Sequence, residues 1–391
     1  MGSNKTVHIY SALRTPIGAF KGALASVSAP DLTAMIIPEA LKTAGLLPED
    51  IDEVILGNVV SAGIGQAPAR QAAIKGGLSS SVPATTVNKV CGSGMKAVMM
   101  ADQAIRLDQA RFIVAGGMES MSRAPFLLPQ MRQGRTLGNT EVVDSLIYDG
   151  LWDLTEKSHM GGLCEKVTQE HCVSRESQDQ YALSSYHRAL KAQDDGVFAN
   201  EIVEISLETR QGSKVVSQDE SPHIEDLDKL PFLSPAFDKN GGTITKGNGA
   251  KIADGAAILV VGEVSSSLKP IARLVGYATH ADSPSLFAVA PVEAIKKVLK
   301  LCNLKTADID LFEINEAFAA ASIIVNDMLE LDAEKVNIHG GSIALGHPIG
   351  ATGARILVTL INALRTKGLK RGLASLCIGG GEATAMVIEI V

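Results

Sequence analysis

Long apolar runs are missing from this chain of 391 residues. No uninterrupted hydrophobic stretch approaches the roughly 18 residues that a membrane helix needs, so no membrane association is expected. Excess positive charge is missing too. The chain has 36 Lys and Arg against 43 Asp and Glu, a formal charge of -7, which gives no reason to expect nucleic acid as a partner. The N-terminal MGSNKTVHIY lacks the basic start and apolar core of a secretory signal, and the C-terminus carries no peroxisomal tripeptide, so the cytoplasm is the expected compartment. Cysteine is sparse: Cys91, Cys164, Cys172, Cys302 and Cys377 are odd in number and scattered, which argues against a disulfide framework. His159, Cys164, His171 and Cys172 lie close together but match no common zinc spacing, and no metal site is expected. Also absent are a dinucleotide G-x-G-x-x-G with its ribose-binding acid, a P-loop and a G-x-S-x-G elbow.

What is present is ordinary globular composition, 46% hydrophobic and 20% charged, and a repeat. Ala40 to Asn58 (ALKTAGLLPEDIDEVILGN) aligns with Val298 to Glu316 (VLKLCNLKTADIDLFEINE). Each reads as the end of an amphipathic helix, a short turn and a buried strand. CGSGMKAV, from Cys91, pairs with GATGARIL, from Gly350, both Gly-rich turns opening a long helix. RFIVAGGMESM, from Arg111, parallels RGLASLCIGGGEATAM, from Arg371. The chain therefore contains two copies of one α/β unit, with mostly parallel sheets covered by helices. Between them the segment from about 121 to 246 is more polar, carries a good helix over Ser174 to Asp194, and reads as an insertion. If the copies are related by a pseudo-twofold axis, their Gly-rich turns converge on one cleft and divide the chemistry between them.

Four places carry chemistry. Cys91 precedes a helix-opening GSGMKA, where partial positive charge and free N–H groups lower a thiol's pKa; it reads equally as a nucleophile or as a small residue in a tight turn. His347 lies in GGSIALGHPIGATGAR with five glycines from Gly340 to Gly353. The following proline keeps it out of a helix, so its ring projects from a loop, as the base for a Cys nucleophile or as a hydrogen-bonded structural residue. Cys377 ends an apolar strand beside Gly379 to Gly381; it reads as an acid or base with the glycine N–H groups forming an oxyanion hole, or, as is more common for such a Cys, as a structural residue. Asn315 and Glu316 follow the apolar Leu311 to Ile314, to position water or to cap a helix from Ala317.

Taken together, YSALRTPIGAFKGAL, GNVVSAGIGQAPARQ, VNKVCGSGMKA, VAGGMESMS, NEAFA, GHPIGATGAR and CIGGG resemble the thiolase family over essentially the whole chain. The resemblance implies a duplicated fold: two pseudo-twofold-related halves, residues 1–120 plus about 247–270 and residues 271–391, form a layered α/β/α/β/α core with a CoA-binding loop domain, 121–246, inserted. It implies that Cys91 attacks a thioester and holds the acyl group, that His347 activates it, and that Cys377 takes an α-proton from the second thioester. The N–H groups of Cys91 and Gly379 cradle the acyl oxygen, while His347 and a water on Asn315 face the enolate oxygen. The triplet His159-Met160-Gly161 resembles the short-chain branch, whose reaction joins two acetyl-CoA into acetoacetyl-CoA and CoA, reversibly and by ping-pong kinetics. Phe237 and Phe318 belong to the implied substrate wall. A broader 3-ketoacyl-CoA thiolase of fatty-acid oxidation and a non-catalytic acyl-CoA binder are the alternatives; a decarboxylating condensing enzyme is disfavoured by Cys377 and Asn315. CoA thioesters are expected as substrates, with no bound cofactor and no metal, and a homotetramer is expected because Arg132 to Trp152 resembles the family's tetramerisation loop. The chain departs from the pattern at GNGA: Ala250 replaces a serine, Lys246 a small residue, and His223 an arginine that packs on adenine. Lys246 either compensates by meeting a phosphate or points into solvent.

Overall fold

The strands of both halves are mostly apolar along their whole length, and the structure shows why: both of their faces are buried. A computed structural model describes residues 5–209, 212–222 and 227–391. Nine strands, β1 Val7–Arg14, β2 Glu53–Gly57, β3 Ala84–Val87, β4 Phe112–Ser120, β5 Ala253–Glu263, β6 Ala272–Ala281, β7 Leu311–Ile314, β8 Arg371–Ile378 and β9 Glu382–Ile390, form one sheet with a short Gly18–Ala19 strand on β5. Their order is β7-β8-β9-β6-β1-β5-β4-β2-β3. From the central β6–β1 junction each side reads alike: two antiparallel steps, then a parallel one. The junction itself is thin, pairing only His8 with Arg273 and Ile9 with Ala272.

The longer helices are α1 Ala29–Ala44, α2 Pro68–Lys75, α3 Ser93–Arg106, α4 Met160–Glu170, α5 Arg175–Asp194, α6 Ala290–Leu301, α7 Ala319–Met328 and α8 Thr352–Lys367, of which α1, α2, α3, α6 and α8 pack directly on these strands. On β2, Val54 and Leu56 pack outward with Leu32 and Ile36 of α1, while Ile55 faces the opposite side with Met95 and Val98 of α3. The second half repeats this. Val387 and Leu373 pack with Ile295 and Val298 of α6, while Met386 and Leu376 face Ile356 and Leu360 of α8. Helices α3 and α8 thus fill the space between the two sheet halves, and α8 is buried on every side from Thr352 to Leu364, its polar Arg355, Thr359 and Asn362 included. The layering is the expected α/β/α/β/α one, but the sheet is mostly antiparallel and not mostly parallel as expected: only β7–β8, β4–β2 and β2–β3 pair in parallel, because β5, β6 and β9 pair antiparallel with each of their neighbours. The repeat holds in detail: Leu47 N–H donates to Asp50 and Lys305 N–H to Asp308, both at 2.8 Å, in the turns before β2 and β7.

The segment between the halves contributes α4 and α5. Ser174 caps α5, accepting from Ser177 N–H at 3.1 Å, so that helix begins where the sequence placed it. Arg14, fully buried at the end of β1, ties this segment to the core. Its guanidinium donates to Glu201 at 2.6 Å and to both Asp219 oxygens at 2.7 and 2.9 Å. A buried cation is tolerable here because two carboxylates face it in fork geometry. No helix of the described residues is long and apolar enough to cross a membrane.

Candidate active site

The two Gly-rich turns meet. A methyl group on Gly94 would lie 2.8 Å from Ala354 N and 3.1 Å from Gly350 O, and one on Gly117 would lie 2.0 Å from Gly350 O. No larger residue fits at these contacts, which explains the glycines on both sides. Glu119 fastens the seam: its buried carboxylate accepts from Val59 and Val60 N–H in the first half and from Gly350 N–H, at 2.9 Å, in the second.

Cys91, His347, Cys377 and Gly379 line one cavity of about 220 Å³ at this seam. Cys91 sits on a strained turn, since the preceding Val90 has a φ of 46°, a value that a β-branched residue rarely adopts. The N–H groups of Gly379 and of Cys91 itself lie within hydrogen-bond reach of the sulfur. They do not make it acidic. Burial outweighs them and pushes the thiol up to about 11, so the net shift is opposite to the one its sequence context suggested, although the N–H groups act in the expected direction. Cys377 is pushed well above the ordinary thiol range by burial and by its proximity to Cys91 and Cys164.

His347 is loop-borne, as its proline predicts, and its tautomer can be read from its partners. Nδ1 lies 2.6 Å from the Thr352 hydroxyl, and that hydroxyl donates to Pro348 O at 2.9 Å. With its one hydrogen spent, Thr352 accepts from Nδ1–H, so Nε2 carries the lone pair. Nε2 is buried and has no partner among the described residues. Burial, helped by the Arg355 charge, lowers the imidazole pKa to about 3 and keeps it neutral.

Asn315 is buried close by without lining the cavity. Ser342 donates to its Oδ1 at 2.5 Å, which leaves the Nδ2 hydrogens unspent. Glu316 does not cap a helix from Ala317. It turns inward to accept from Ser185, Asn337 and Ile343 N–H, and α7 starts at Ala319.

One wall is aromatic. His159 stacks on Phe237 with centroids 4.7 Å apart, Phe237 meets Phe318 edge-on at 6.2 Å, and Met160 and Ala250 complete the lining. Ala250 and Phe318 come together because Ala250 N–H donates to Ala317 O and Ala319 N–H to Asn248 O. Lys246 stands exposed on the turn before this wall and does not line the cavity. His223 lies outside the described residues. Three residues were not signalled by the sequence: Val90, Thr352 and Lys251, the last a cavity-lining cation. A β-branched residue before a candidate nucleophile and a hydroxyl five residues past a candidate base are too common to stand out.

A duplicated α/β fold with two thiols and an imidazole at the seam defines an acyl-transfer site. The chain matches the thiolase N-terminal domain over residues 7–265 and the thiolase C-terminal domain over residues 268–390, and it belongs to the thiolase family. It is an acyltransferase. It is 51% identical to the acetyl-CoA acetyltransferase of Escherichia coli, across 98% of this chain and 99% of that protein. Identity to a probable acetyl-CoA acyltransferase of Staphylococcus aureus is 47%, with 98% of each chain covered. Among solved structures, the Bacillus anthracis acetyl-CoA acetyltransferase superposes with a TM-score of 0.97 at 40% identity, covering all of both chains. An Ascaris suum thiolase in complex with coenzyme A gives 0.93 at 42% identity, covering 99% of this chain and all of that one.

Proposed function

We propose that this thiolase is an acetyl-CoA C-acetyltransferase, converting two acetyl-CoA into acetoacetyl-CoA and CoA and catalysing the reverse. The observation that carries the reading is the confluence of Cys91, Cys377, the free Nε2 of His347 and the Gly379 N–H on one small apolar cavity. Cys91 passes its proton to Nε2 and attacks the thioester carbonyl; the N–H groups of Cys91 and Gly379 hold the oxyanion. The departing CoA sulfur takes the Cys377 proton. Cys377, now a thiolate, removes the α-proton of a second acetyl-CoA, and the imidazolium of His347 together with a water on Asn315 stabilises the enolate oxygen. The enolate carbon attacks the acyl group, the bond to Cys91 breaks, and the proton returns from His347 to Cys91. Each group ends as it began, as ping-pong turnover requires.

His159, Met160, Phe237, Phe318 and Ala250 form the wall along which the pantetheine arm lies. Lys246, exposed beside it, and His223 belong to the outer coenzyme contacts. The enzyme works as a cytoplasmic homotetramer, a reading supported by exposed apolar residues on the segment before α4, among them Phe126, Met131 and Leu137. The test is thiolysis of acetoacetyl-CoA beside a 3-ketoacyl-CoA of about sixteen carbons, for wild type and Cys91→Ala. Cleavage of acetoacetyl-CoA alone, lost in the variant, supports the reading; equal cleavage of both moves the enzyme to the broad-range thiolases.

A further inference from the structure

Lys251 lines the same cavity as Cys91 and His347. Its backbone serves the base, because His347 N–H donates to Lys251 O at 2.8 Å. Its side chain adds something that the chemistry above does not use, a cation. The ammonium donates to Ser221 O at 2.5 Å and lies 4.7 Å from the ring centroid of Tyr186, which is fully buried. Lys251 borders the cavity while its ammonium is held beside α5, by Ser221 and Tyr186, neither of which lines the cavity.

This ammonium makes no ion pair with a carboxylate of the described residues; its partners are Ser221 O and the Tyr186 ring. Burial lowers its pKa to about 8. The nearby acids are committed elsewhere. Asp219 holds Arg14, and Glu220 accepts from Ala19 and Ala23 N–H. One carbonyl and one ring face leave an ammonium with three hydrogens under-satisfied. A half-buried cation without a counter-charge is unfavourable in the empty protein, and an anion brought by a ligand offsets that.

We propose that Lys251 is a substrate-binding residue that takes an anionic oxygen group of the thioester, a phosphate of the coenzyme or a carboxylate at the far end of the acyl chain. The inference rests on the thiolase reading of the cavity and deepens it.

The test compares wild type, Lys251→Met and Lys251→Arg in thiolysis. Acetoacetyl-CoA is set against acetoacetyl-pantetheine, which lacks the phosphates, and a six-carbon 3-oxo dicarboxylic acyl-CoA against its methyl-terminated counterpart. Ratios of kcat/KM cancel any loss of folded enzyme. If a phosphate is held, Lys251→Met lowers the CoA-to-pantetheine ratio on the order of tenfold, the scale of a hydrogen bond to a charged group. If the acyl carboxylate is held, the dicarboxylic-to-methyl ratio falls by that factor instead. In either case Lys251→Arg stays near wild type, and the wild-type ratio declines as pH rises and the ammonium loses its proton. Two unmoved ratios in Lys251→Met overturn the proposal. Failure of the thiolase reading shows separately, as wild type that does not cleave acetoacetyl-CoA.

Discussion

Gly353 and Met95 approach so closely that a single methyl group on the glycine would sit 2.5 Å from the Met95 backbone nitrogen. The contact joins the first turn of α8 to the first turn of α3, one helix from each half of the molecule. Gly353→Ala must therefore push the halves apart. The expected loss is about 1–3 kcal/mol, typical of overpacking in a rigid core, with activity falling further because the seam carries the site. Thermal unfolding together with kcat measures both; a variant with wild-type Tm and kcat contradicts the packing argument.

Thr352 fixes the imidazole rather than touching substrate. Thr352→Val keeps the shape and removes the acceptor for Nδ1–H. The expected result is a kcat reduced about tenfold, the scale of one hydrogen bond to a group that becomes charged, with KM little changed and Thr352→Ser close to wild type. A rise in KM at constant kcat argues instead for a binding role.

In the free enzyme Cys91 is a protonated thiol. Because burial raises its pKa to about 11, the thiolate fraction grows about tenfold per pH unit over the whole range below that value. Alkylation of Cys91 by iodoacetamide is expected to accelerate log-linearly from pH 7 to about 10. A plateau near pH 8 would falsify the assignment of a raised pKa. Nucleophilicity at neutral pH then depends on His347 taking the proton as the thioester is attacked.

On the proposed mechanism the two thiols serve separate half-reactions. Cys377→Ala is expected to retain acetyl transfer from acetyl-CoA to Cys91, seen as an acetylated protein by mass spectrometry, while carbon–carbon bond formation falls by orders of magnitude. Cys91→Ala is expected to lose both. Acetylation of Cys91→Ala at Cys377 would exchange the two roles.

Leu137 is 91% exposed on the segment preceding α4. Leu137→Asp is expected to lower the solution mass from tetramer to dimer at micromolar protein, read by light scattering, and to leave the fold intact by circular dichroism. A tetramer that persists shows that this apolar patch is not the interface.

The duplicated architecture was legible because each half repeats its own local code. The Asp50 and Asp308 turns, the Ser174 cap and the period-two faces of β2 and β9 all follow from neighbours in sequence. What was not legible depends on partners far apart. Arg14 reads as an exposed strand-end residue until Glu201 and Asp219, 187 and 205 positions away, are folded against it. The same holds for Glu119, which reads as one acid in an apolar strand and proves to bind both halves through Val59 and Gly350. At the site, motif and geometry agree on which residues gather, but the Cys91 pKa runs opposite to its helix context because burial is set by the tertiary cavity. Lys251 gave no local signal at all, since a lone lysine in a loop looks like surface.

The two helix starts that touch at the seam are both positive ends. α3 and α8 each present the partial positive charge of the macrodipole there, and the Gly94, Gly353 and Met95 contacts hold those ends together. Two positive poles brought to one seam favour negative charge between them, and on the proposed mechanism a thiolate and an enolate supply it. Neither half alone would have the second pole.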